Sequence, residues 1–325
     1  MTFGVRLLCA CVLSGAAPDG AKIMNPPVPF VAEALTLVTA TGTLHGTLLA
    51  PAGGRRVPVV LIHPGSGPTD RDGNTPLVAG RNNSLLLLAQ GLAARGVATL
   101  RIDKRGIAAS AAALTAEADL RFEMLAADAA AWLDLLRRDR RFDRVVMLGH
   151  SEGALIGALA AADARADGYV SVAGPARRAA DILRRQVGPR LSGQLAHENE
   201  RILAALERGE QVGSVPEPLL ALYRPSVQPY LISWFRYDPV REIGRLTMPV
   251  MIVQGATDLQ VEPAEGAALH AARPDAKYLE VAGMNHVLKL VGGGLPEQLA
   301  SYGDPTLPVA PALLDGLAAF IHACR

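Results

Sequence analysis

The chain is poor in several features that announce function directly. It has only three cysteines, Cys9, Cys11 and Cys324, and the first two lie in an N-terminal apolar run. No disulfide framework can be built from the rest, and no cysteine cluster has the spacing of a zinc site. Excess charge is also missing: 32 Lys+Arg against 31 Asp+Glu leaves a formal net charge of +1. Such a balance gives no electrostatic footprint for nucleic acid or an anionic surface. The arginine-dense "RRDRRFDR" (137–144) reads instead as a helix C-terminus, where cations complement the dipole, followed by a solvated loop. Past the N-terminus no apolar run is long enough to make a stable membrane span. "GSGPTD" lacks the third glycine of a dinucleotide fingerprint, and "DRDG" lacks the glutamate of a calcium loop. No metal and no organic cofactor is implied.

The N-terminus has a composition of its own. "MTFGVR" carries one positive charge, "LLCACVLSGAA" is apolar, and small residues follow. This is the tripartite pattern of an export signal over residues 1–18, which would place the mature chain in the periplasm or outside the cell. An accidental apolar run would leave the chain cytoplasmic. Cys9 occupies a position that makes the stretch a poor lipoprotein match.

What the chain does have is alternation. After a proline-rich linker, "EALTLVTATGTLHGTLLAP" alternates as an antiparallel hairpin turning at Thr41-Gly42. Short apolar runs then exchange with helical segments: strands at 57–63, 97–103, 144–148, 168–174, 249–255 and 276–283, and helices at 82–96, 117–138, from 152, 262–273 and 308–323. Repetition of this kind predicts a mostly parallel sheet with helices on both faces, and ligands gather at the carboxyl ends of its strands. The segment 175–246 breaks the rhythm. It reads as helices only, a lid inserted into a core formed by 30–174 and 247–325. Five of the fourteen aromatic residues cluster there, among them Tyr230, Trp234 and Phe235. They either form the lid's own core or wall an apolar substrate pocket.

Chemistry concentrates at "GHSEG", Gly149 to Gly153. A G-x-S-x-G between a buried strand and a small-residue helix is the context of a nucleophile elbow, which holds Ser151 clear at the sheet edge. Serine is a weak nucleophile near neutral pH and needs a base oriented by an acid. His286, in "GMNHVLK" beyond the last strand, can reach back to the elbow; Asp258, in "VQGATDLQV", ends the strand before it. The order Ser151, Asp258, His286 is the one used by hydrolases of this architecture. His63 reads as a buried imidazole that shapes the loop after the first parallel strand. In that loop, "LIHPGSGPTDRDGN", the main-chain N–H of Gly65 is the candidate oxyanion donor, with Ser66 as fallback and the N–H of Glu152 as partner. Asp70, Arg71 and Asp72 read as a charged turn bracing the loop.

The elbow, "HPGSGPTDRDGN", "LRIDKRG", "SVQPYLISWFRYDP", "QGATDLQV" and "GMNHVLK" together resemble the α/β-hydrolase superfamily. More narrowly they are similar to bacterial serine esterases of the serine-aminopeptidase-like group. The resemblance runs from about residue 35 to the end. It implies an α/β-hydrolase fold with a helical lid, Ser151 as nucleophile, His286 as base, Asp258 as acid, and Gly65 with Glu152 as oxyanion donors. One departure stands out: "IAAS" follows "DKRG" where the group commonly carries G-x-G-x-S. The expectation is a serine esterase acting on small-molecule esters, with amide or thioester cleavage by the same residues, or ligand binding without turnover, as the alternatives.

Overall fold

A computed structural model describes residues 30–53 and 55–324. The expected export signal and the prolines of the linker (Pro26, Pro27, Pro29) lie outside these residues. Strands β1 (Phe30–Thr39) and β2 (Gly42–Pro51) form the hairpin. Its turn is Ala40-Thr41, with Thr39 paired to Gly42, one residue earlier than expected. Gly42 serves a close approach instead: a Cβ there would stand 2.8 Å from Ala113 Cα.

β3 (Val57–His63), α1 (Ser84–Ala93), β4 (Ala98–Ile102), α2 (Phe122–Arg138), β5 (Phe142–His150), α3 (Glu152–Asp163) and β6 (Gly168–Val172) follow in alternation. The arginine-dense stretch closes α2 and opens β5, so only residues 139–141 remain as the expected loop. Segment 175–246 holds α4 (Ala179–Val187), α5 (Gly193–Glu207), α6 (Leu220–Tyr223), α7 (Gln228–Phe235) and α8 (Pro239–Gly244), and no strand among the described residues. β7 (Val250–Gly255), α9 (Pro263–Ala272), β8 (Lys277–Val281), α10 (Leu295–Ala300) and α11 (Pro311–Ala323) complete the chain. The six-residue α10 has no counterpart in the sequence reading.

The sheet order is β1-β2-β4-β3-β5-β6-β7-β8. β2 runs antiparallel to both neighbours, and β3 to β8 are parallel. Alternate residues of the central strands enter two different cores. Val59 and Leu61 of β3, Val145 and Met147 of β5, and Val250 and Ile252 of β7 join Trp132, Leu133 and Ile156 under α2 and α3. Val60, Ile62, Val146, Leu148, Met251 and Val253 join Leu88, Leu92, Leu313 and Leu317 under α1 and α11. Burial on both faces explains why these strands read as unbroken apolar runs. Parallel pairing collects the carboxyl ends of β3 to β8 on one edge. This is the expected α/β architecture. Among the described residues no helix is long and apolar enough to cross a membrane.

The departure at "IAAS" has a backbone consequence. Ala108 adopts φ 46°, in the left-handed region where an L side chain is strained. The turn survives because Ser110 anchors it: its Oγ accepts from His45 N at 2.9 Å, and its carbonyl accepts from Gly106 N at 3.0 Å. Ala108→Gly relieves the Cβ clash at some cost in unfolded-state entropy. Its expected effect is a gain of about 0.5–1 kcal/mol in unfolding free energy, read from urea denaturation.

Candidate active site

Ser151 sits between the last residue of β5 and the first of α3, with φ 57° and ψ −124°. This strained turn lifts its side chain off the sheet edge, and its N–H is tied to Val172 O at 3.0 Å, at the end of β6. The flanking glycines are required by contact. A Cβ on Gly149 would lie 2.0 Å from Gly153 O, and one on Gly153 would lie 2.5 Å from Pro64 O and 2.7 Å from His63 O. The elbow and the end of β3 therefore meet backbone to backbone. Ser151 Oγ has no hydrogen-bond partner among the described residues.

Asp258 and His286, on the loops after β7 and β8, are brought together. His286 Nδ1 lies 2.8 Å from Asp258 Oδ2, and both side chains are buried. The other carboxylate oxygen, Oδ1, accepts the N–H groups of Gln260 (2.8 Å) and Val261 (2.9 Å), so the acid cannot rotate away. The main chain at His286 is held from the elbow itself: His150 Nε2 donates to His286 O at 2.9 Å, with the two rings 4.8 Å apart. Burial first, and then the neighbouring His286, lower the His150 pKa to about 3, so this imidazole stays neutral.

Gly65 packs directly on Ser151: a Cβ there would lie 3.1 Å from Ser151 Cβ. Neither its N–H nor that of Glu152 is bonded to a described residue, and Glu152 is the first residue of α3, where N–H groups are free by construction. His63 shapes the loop as expected, its Nδ1 donating to Pro64 O at 2.9 Å. Burial, reinforced by the nearby Lys104 charge, lowers its pKa to about 3. The charged turn also braces. Arg71 bonds Asp103 Oδ2 through Nε and Nη2 at 3.0 and 2.6 Å, Asp72 pairs with Arg101, and Asp70 Oδ1 caps the N–H groups of Asp72 and Asn74. Ser66 is exposed at the loop tip. Two buried ionisable side chains that the sequence reading did not single out complete the surroundings: Lys104, from "LRIDKRG", and the Glu152 side chain. Burial pushes the Glu152 carboxyl up, offset by Lys104 and the Tyr230 hydroxyl.

The expected aromatic pocket divides. Tyr230 faces Glu152. Trp234 stacks on Phe122 at 5.7 Å and 7°, and Phe235 is buried in the same core. Trp234 and Phe235 thus dock the helical segment on α2, since Phe122 opens that helix and its N–H donates to Ser233 Oγ at 2.8 Å. A cavity of about 910 Å³ lies elsewhere, between α4–α6 and the loop after β7, with Pro175, Ile182, Leu191, Leu222, Leu259 and Val261 among its walls. It begins one residue beyond Asp258 but includes neither Ser151 nor His286 in its lining. Among the described residues no group of His, Cys, Asp and Glu could hold a metal ion.

A single reversed strand, β2, beside an otherwise parallel sheet whose β5 ends in the Ser151 turn, is the α/β-hydrolase fold. Comparison with known proteins agrees. A family model described as serine aminopeptidase, S33, matches residues 81–207. Esterase EstD of Thermotoga maritima is 30% identical over 256 residues, 77% of this chain; the chain spans 59% of that relative's length. Among solved structures, the α/β hydrolase GrgF from Penicillium sp. sh18 aligns with TM-score 0.58 and 18% identity over 90% of this chain and 99% of that one. Est1E from Butyrivibrio proteoclasticus aligns with TM-score 0.57 and 19% identity over 89% and 99%. The chain has the α/β-hydrolase fold and is similar in sequence to an esterase.

The contact between elbow and loop yields a stability test. Gly153→Ala forces a methyl against two carbonyl oxygens of β3's end and is expected to cost about 1–3 kcal/mol, measured as a lower urea midpoint at unchanged slope.

Proposed function

We propose that the chain is a carboxylic ester hydrolase working through an acyl-serine intermediate. The observation that carries this reading is the His286–Asp258 hydrogen bond of 2.8 Å, formed between separate loops at the edge where Ser151 stands on its strained turn. His286 Nε2, opposite the nitrogen held by Asp258, takes the Ser151 proton as Oγ attacks the ester carbonyl. The carboxylate fixes the imidazole tautomer and stabilises the imidazolium that forms. Negative charge develops on the carbonyl oxygen and is received by the N–H groups of Gly65 and Glu152. The imidazolium then protonates the departing alcohol. Water, activated by the same base, releases the acid and restores Ser151.

The helical segment 175–246 acts in this reading as a lid, and the 910 Å³ cavity beneath it takes the apolar part of the ester. Its walls are mostly Leu, Ile, Val and Pro, which favours small to medium apolar esters. Similarity to Esterase EstD supports ester cleavage. The family description, a serine aminopeptidase, favours amide cleavage by the same residues as the second reading.

Fluorophosphonate should label Ser151, located by peptide mass spectrometry. Ser151→Ala should abolish both labelling and turnover of p-nitrophenyl esters. Asp258→Asn should lower kcat by about 10³–10⁴-fold with little change in KM. A wild-type protein that is folded yet unlabelled and inert towards esters would leave ligand binding without turnover as the better reading. Faster cleavage of aminoacyl amides than of matched esters would transfer the assignment to the amidase reading. Leu222→Trp, which narrows the cavity, should raise KM for hexanoate esters about 10-fold while leaving acetate esters nearly unaffected.

A further inference from the structure

Lys104 is a buried lysine just past the end of β4 that the proposed reaction does not use. Its Nζ donates to Gly65 O at 2.5 Å and to Gly67 O at 2.8 Å. It has no carboxylate ion-pair partner among the described residues; burial pushes its pKa down, and the carboxyl of Glu152, from α3, opposes that shift. His63 holds the preceding carbonyl, Pro64 O. Three carbonyls of this loop, those of Pro64, Gly65 and Gly67, are thus drawn towards the His63 and Lys104 side chains, and that of Ser66 towards Thr69 Oγ1. In a planar trans peptide the C=O and the following N–H point in opposite directions. Holding Pro64 O therefore turns the Gly65 N–H away from His63, and holding Gly65 O turns the Ser66 N–H away from Lys104. Neither of those N–H groups has a partner among the described residues.

We infer that Lys104 is a positioning residue for the oxyanion loop. Its ammonium, holding Gly65 O and Gly67 O, fixes the peptides that follow the Gly65 donor and places a fixed positive charge one peptide behind the developing oxyanion. The inference rests on the ester-hydrolase reading and adds to it a residue that neither touches substrate nor moves a proton. A desolvated charge that is already oriented costs no reorganisation when the transition state forms, so its effect falls on kcat and not on substrate binding. The same residue explains a link between the two halves of the hole. Glu152 contributes one N–H, and its carboxyl faces the ammonium that holds the other half.

The test compares Lys104→Met, which removes charge and both donors at similar length, with Lys104→Gln, which retains an amide donor. Each variant is first checked for a wild-type circular dichroism spectrum and melting transition. With p-nitrophenyl butyrate, kcat should fall about 10- to 100-fold in the Met variant and less in the Gln variant. The inhibition constant of butylboronic acid, which forms a tetrahedral adduct on Ser151, should rise by the same factor. KM and inhibition by butyrate should stay within about 3-fold of wild type, because ground-state binding does not use the hole. If the Met variant does not fold, the Gln variant decides alone. Unchanged kcat in a folded variant, or a fall in kcat with boronate affinity intact, overturns the role of Lys104. A wild-type protein without ester turnover overturns the ester reading first; an active wild type with indifferent Lys104 variants overturns this inference only.

Discussion

The structure depends on one backbone contact, the closure of the elbow against the end of β3. Gly153 meets the carbonyls of His63 and Pro64 with no room for a side chain, and Gly149 meets Gly153 in the same way. That approach forces Ser151 into its left-handed turn and brings Gly65 against its Cβ. It joins Ser151 and the loop after β3 into one rigid object. Without it, a serine at φ 57° would have no reason to persist, since strain of this kind is held only by surroundings that over-determine it.

Around that object, three histidines show how environment assigns work to one side chain. His63 and His150 are enclosed, stay neutral, and donate to single carbonyls, one shaping the loop after β3 and one pinning the loop that bears His286. His286 alone of the three has a buried carboxylate bonded to one ring nitrogen. The elbow thus reaches both of its partners, one through Gly153 and the other through His150.

Much of this was legible along the chain. The doubled apolar runs of β3, β5 and β7 reflect two buried faces, and the elbow, Asp258 and His286 lie at strand ends where the alternation puts them. Other features escaped a local reading. Gly42 looked like a turn residue because glycine favours turns, whereas its lack of a side chain is needed for the approach of Ala113. Trp234 and Phe235 looked equally suited to a pocket or a core, and only the position of Phe122, more than a hundred residues away, decides that they dock the insertion on α2. Ala108 marked a departure from a pattern, but its strain appears only as a dihedral angle.

By itself the sequence determined the order of the strands and the principal helices and the place of the Ser151 turn, because periodicity and glycine spacing are properties of neighbouring residues. The tertiary structure decided which distant groups touch: Lys104 to the carbonyls of Gly65 and Gly67, His150 to His286, and the cavity between the helical insertion and the loop after β7. Those contacts depend on the crossing of β3, β4 and β5 in the sheet and on burial that removes competing water. Neither quantity is written in any short stretch of chain.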